Sequence, residues 1–161
     1  MSGPRERGPG LRARARSEDG TAVLEFLAVT VLLLVPVVYL VLVLGRLQAA
    51  TFAADSAARE AGRAFTTSTG ADDGARRAIA AVALALDDQG FGDVDPAAAL
   101  TLDCSSQPCL TSGGSVRVTV AFDVQLPGVP AFVQSAVPLA VPVSAEHVTP
   151  VPRFAATAAR G

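Results

Sequence analysis

The chain has 161 residues, a formal net charge of -2 and a composition that is 50% hydrophobic but only 5% aromatic. That balance supplies neither the basic surface nor the stacking rings of a nucleic-acid binder, so that class is excluded. Beyond one polar and one membrane-like segment, roughly a hundred residues remain, enough for one small domain with a modest core.

Residues 1–20 are rich in Gly, Pro and Arg and short of apolar bulk, which predicts a flexible leader or cytoplasmic tail. From Phe26 to Leu44 the chain reads FLAVTVLLLVPVVYLVLVL, without a charged side chain. At about 1.5 Å of helical rise per residue this run nearly matches the hydrocarbon thickness of a bilayer, predicting a transmembrane helix over 21–45. Arg5, Arg7, Arg12, Arg14 and Arg16 precede the run, and Arg46 is the one basic residue close behind it. The positive-inside rule then predicts a single-pass protein of the cell membrane, N-terminus cytoplasmic and C-terminal domain extracytoplasmic. A cleaved secretory signal shares the basic start, but its apolar core is usually about 7 to 15 residues long. A simple signal anchor is the other alternative. Pro36 breaks the helical pattern at a kind of position that membrane helices accommodate. Glu25 lies at the mouth of the run, where an unpaired charge costs about a few kcal/mol and usually marks a pairing or a function.

Past Gly45 the sequence RLQAATFAADSAAREAGRAF keeps helical character while becoming polar, so the helix should extend over 46–66 outside the membrane. Ala49, Ala53, Ala57 and Ala61 form one row at fourfold spacing, and Ala50, Ala54, Ala58 and Gly62 form the adjacent row. Such rows admit a second backbone at close range, whether from another helix or from the chain's own domain. Asp55 and Arg59 are spaced as a solvated ion pair. TTSTGADDG should end this helix, and a second helix follows, with Asp72 or Asp73 as cap, Ile79, Val82 and Leu86 on one face, and Gly90 at its end. The second helix opens a small exported α+β domain over 71–148.

From Ala97 the period becomes twofold. Val116, Val118, Val120, Phe122, Val124 and Leu126 alternate with polar or small residues, which predicts a half-buried strand. Leu100 to Asp103 is a candidate strand, and AVPLAVPVSAEHV another whose Pro138 and Pro142 favour an edge. Residues 149–161 should form a flexible tail.

Cys104 and Cys109, separated by SSQP, are the chain's two cysteines and fall in the exported part, where an oxidising compartment would join them as a disulfide. Two thiols without a nearby His do not complete a zinc shell, and redox catalysis usually uses Cys-x-x-Cys. His147 is read as a solvated surface residue, since its neighbour Glu146 points to the opposite face of a strand. The segment DDQGFGDVD, from Asp87 to Asp95, is acidic enough for calcium but lacks the order of acids of an EF-hand, and reads as a solvated loop. No nucleophile elbow is present, so no enzyme, cofactor or metal is expected.

The segment GTAVLEF, Gly20 to Phe26, resembles the processing site of type IV prepilins, and the aromatic after Glu25 resembles the Flp subgroup. Together with the Leu- and Val-rich run holding an internal proline and AAREAGRAF at Ala57 to Phe65, the first seventy or so residues are similar to TadE-like proteins, minor pilins or pseudopilins of the tight adherence (Flp) pilus. The resemblance implies cleavage after Gly20 by a prepilin peptidase, leaving Thr21 first. Glu25 would then meet the free amine of a neighbouring subunit, with Phe26 and the Ala49, Ala53, Ala57 and Ala61 row taking part in assembly. It implies a pilin-like α+β fold and, as partners, the membrane, other pilins and pilus assembly components. The competing expectation is a single-pass anchor presenting an extracellular binding or sensing module.

Overall fold

Helix α1 spans Ala15–Thr66 and holds Pro36 within it without interruption. The computed structural model describes residues 15–128 and 140–152, with side chains from Thr21 onward. The chain divides into two compact units, residues 1–42 and 43–161. In the first unit every described side chain of α1 is exposed, Leu32 at 73% and Phe26 at 70%. Its apolar window has a mean hydropathy of 3.0, so this helix is long and apolar enough to cross a membrane. Thr30, a polar residue inside the run, donates its hydroxyl to the Phe26 carbonyl at 2.8 Å and so meets its own need within the helix.

The second unit is α+β. The last part of α1 packs with α2 (Ala71–Asp88), a single turn α3 (Pro96–Ala99) and a sheet of β1 (Leu100–Cys104), β2 (Ser115–Gln125) and β3 (Ala140–Pro150). All pairings are antiparallel and the order is β1-β2-β3, so the apolar alternation of β2 occupies the centre. Val116, Val118, Val120, Phe122 and Val124 are buried, while Arg117, Ala121, Asp123 and Gln125 face outward and are exposed. This is the arrangement that a twofold period dictates when only one face of a sheet is covered.

The covering layer is built from small side chains. Ala50, Ala53, Ala54, Ala57, Ala58 and Ala61 of α1 are fully buried, and Phe65 nearly so, in one core with Ala78, Val82 and Leu86 of α2 and the β2 valines. Contact is closest at Gly62, where an added methyl would overlap Thr149 Oγ1 and lie 3.3 Å from Val118 Cγ2. The α1 backbone therefore rests directly on β2 and β3.

Local chemistry ends the helices where composition suggests. Thr66 and Thr67 donate their hydroxyls to the carbonyls of Gly62 and Arg63, at 2.9 and 2.8 Å, and Ser68 donates to Phe65 at 2.6 Å. The TTS run thus supplies donors to two of the last four carbonyls of α1, those of Arg63 and Phe65, which also accept the backbone N–H groups of Thr67 and Ser68. At the far end of α2, Gly90 adopts a φ of 75°, with Gly90 N–H bonded to Asp87 O and Phe91 N–H to Leu86 O, both at 2.9 Å. That is a Schellman cap, whose left-handed position favours glycine.

Four local expectations are corrected. Gly70, not Asp72 or Asp73, is the N-cap of α2 and makes no side-chain cap bond; the two acids lie in the first turn, where the helix dipole favours them, and Asp73 pairs with Arg76 and Arg77. Strand character starts at Leu100 instead of Ala97, because Pro96 and the cap from Asp95 Oδ1 to the Ala97 N–H, 3.0 Å, wind one helical turn first. Thr149 and Pro150, expected to open a flexible tail, belong to β3, and Val151 is 2% exposed with its N–H on Gly114 O. His147 lies opposite Val118, on the covered face of the sheet, and is half-buried. Pro142 does fall on an edge strand; Pro138 lies outside the described residues.

Replacing Gly62 by Ala should destabilise the full chain in detergent by about 1 to 3 kcal/mol through overpacking, despite the better helix propensity of Ala. Adding Thr149→Ala should restore part of that loss, read as the midpoint of urea unfolding.

Candidate functional site

Gly20, Thr21, Glu25 and Phe26 all lie within α1. Thr21 and Glu25 are four residues apart and share a helix face, whereas Gly20 is about 140° around the helix from Glu25. Glu25 is exposed, and its carboxylate has no partner among the described residues. It stands just before the charge-free stretch of α1, whose next turns carry Phe26, Leu27, Val29 and Val31, all at least 49% exposed.

The alanine row behaves differently from the expectation drawn from pilin assembly. Ala53, Ala57 and Ala61 are fully buried and Ala49 is half-buried, and Ala50, Ala54, Ala58 and Gly62 of the adjacent row are buried as well, because the chain's own sheet and second helix cover this face. The contact surface they offer is thus taken up within the domain. On the outward face of the same helix are Phe52, 69% exposed, and the Asp55–Arg59 ion pair.

A junction that sequence reading did not assemble lies at Arg46. Its guanidinium carbon sits 3.9 Å above the centre of the Phe91 ring, and Nη2 donates to the Gly90 carbonyl at 3.0 Å. Phe91 is 2% exposed and meets Phe122 at 5.4 Å between centroids, tilted by 55°. The Schellman cap places Phe91 in the core, and Arg46 then covers its outer face through a cation–π contact. The one signal in the sequence is an aromatic directly after a helix-ending glycine; its partner is 45 positions away.

Cys104 and Cys109 form a disulfide with their Cα atoms 5.2 Å apart. The bond closes the turn after β1, and Ser105 holds that turn to β2: its N–H donates to Ser115 O at 2.9 Å, and its Oγ accepts from the Ser115 N–H at 2.8 Å. A shallow recess of about 190 Å³ beside it is lined by Asp103, Ser105, Ser115, Arg117 and Val148, but Arg117 is already paired with Glu146. In the acidic loop Asp95 serves as the cap of α3, and among the described residues no three His, Cys, Asp or Glu side chains are placed to share a metal ion.

Comparison with protein-family models, curated proteins and solved structures finds no match to this chain.

Changing both cysteines to Ser should cost about 2 kcal/mol, the value for so short a closed loop. The loss should appear as faster amide exchange confined first to residues 105–114, with β2 still protected.

Proposed function

We propose that this protein is a TadE-like pseudopilin that takes part in assembling a tight adherence pilus through packing of its membrane helix. One observation carries the reading: an exposed carboxylate without a partner among the described residues, Glu25, stands at the start of the exposed apolar stretch of α1, five positions after Gly20. In a bilayer such a group is costly alone and tolerable when an ammonium neutralises it. A neighbouring subunit cut after Gly20 supplies that ammonium at Thr21. Since Thr21 and Glu25 share a face, a small axial stagger between two parallel helices brings the amine of one to the acid of the other.

In this reading residues 21–45 span the membrane, the Arg-rich leader is cytoplasmic and the α+β domain is extracytoplasmic. The protein catalyses nothing; it works by position. Its contact surface is the first unit's exposed helix, while the alanine rows serve the domain itself. That internal use of the rows favours one rival, a single-pass anchor presenting the domain to an external ligand.

Three outcomes are expected. Mass spectrometry of the membrane-extracted chain should find Thr21 at the N-terminus. Glu25→Ala should reduce incorporation into the assembled fraction roughly tenfold or more, as loss of a charge-assisted pair requires, with the domain still folded and disulfide-bonded. Replacing Thr21–Leu44 by an unrelated spanning helix should abolish function, whereas a presenting module would keep it.

A further inference from the structure

We propose that Arg46 binds the phosphodiester of a membrane phospholipid, an inference that rests on the reading of Phe26–Leu44 as a bilayer span. Arg46 follows Leu44 by two residues, which puts its backbone about 3 Å beyond the last residue of the charge-free run, at headgroup depth. The side chain is already fixed there by the Phe91 ring and the Gly90 carbonyl. Holding the guanidinium in place removes most of the ordering cost that a free arginine meets when it binds an anion.

The remaining donors point to an anion. A guanidinium has five N–H groups, and the contact to Gly90 uses one of them. Arg59, Arg76, Arg77 and Arg117 each have a carboxylate within 4.0 Å, and Arg63, which has none among the described residues, is exposed on α1 and is held by no ring or distant carbonyl. Arg46 has none among the described residues, although Asp87, Asp88 and Asp93 flank the glycine and phenylalanine that hold it. Phosphate fits the planar fork of donors by paired hydrogen bonds. The three aspartates within three residues of Gly90 and Phe91 disfavour any anion, but a phosphate tethered by acyl chains in the membrane plane stands at a far higher effective concentration than a freely diffusing one. A lipid, not soluble phosphate, is therefore the source.

The test is native mass spectrometry of the full chain released from maltoside micelles that contain either phosphatidylglycerol or a phosphate-free galactosyl diacylglycerol. The wild type should retain phosphatidylglycerol about tenfold better than the galactolipid, and Arg46→Gln should remove that preference, since a charge-assisted bond of this kind is worth at least a factor of ten. Arg46→Lys should recover part of it. Equal retention of both lipids by the wild type, which needs no variant, would overturn the proposal; so would undiminished phosphatidylglycerol retention by Arg46→Gln with β2 amides still protected. Displacement of the lipid by millimolar glycerophosphate would overturn the lipid source. Release of the wild-type chain from membranes by alkaline carbonate would instead remove the spanning reading, and this proposal with it.

Discussion

The seat of α1 on the sheet depends on side chains that are missing. At Gly62 the helix comes so near Thr149 and Val118 that one methyl group has no room, and the alanines on either side hold the rest of the helix at the same short range. Each buried alanine removes little surface from water. The larger gain lies with the β2 valines and with Leu86 and Val82, each worth about 1.5 to 3 kcal/mol when fully buried. Small residues on one layer let large ones on the other fill the space, as a densely packed interior requires.

Once α1 is seated, the order of the remaining pieces follows. Helix α2 presents Gly74, Ala78, Val82 and Leu86 as its buried row, small near the turn and larger toward Gly90. The Schellman cap then reverses the chain and delivers Phe91 to the core beside Phe122, and Arg46 closes over it. One cap thus links the end of α2, the sheet and the beginning of the domain's part of α1. A polar loop sits outside this link, its Asp95 engaged as the cap of α3.

Patterns that repeat along the chain were readable in advance, and patterns that depend on distant pairing were not. The twofold alternation of β2, the apolar run of α1, the end of α2 at Gly90 and the cysteine bond all follow from residues close in sequence. The use of the alanine rows was open, because a small-residue stripe permits close approach without naming the neighbour. His147 and Thr149 were misplaced for a related reason: weak alternation in a proline-bearing strand hides which side faces the core, and register with β2 decides it. Arg46 and Phe91 could be joined only through the fold. Glu25 was legible as an anomaly, since a charge beside a long apolar run stands out without any tertiary information.

Glu25 and Arg46 bracket the apolar run, and their surroundings differ. Arg46 is held by its own domain, through a ring and a carbonyl, whereas Glu25 has no partner among the described residues. In a bilayer, sliding the helix either way would draw one of these charges toward hydrocarbon, at a cost that rises with depth to about 2.5 to 3.5 kcal/mol at the bilayer centre, so the pair opposes displacement in both directions. The Arg46 end meets that constraint from within the chain. At the Glu25 end no described residue balances the charge, so the carboxylate is left to interfacial water or to a group outside the described residues, and the two ends of the run meet the same constraint by different means.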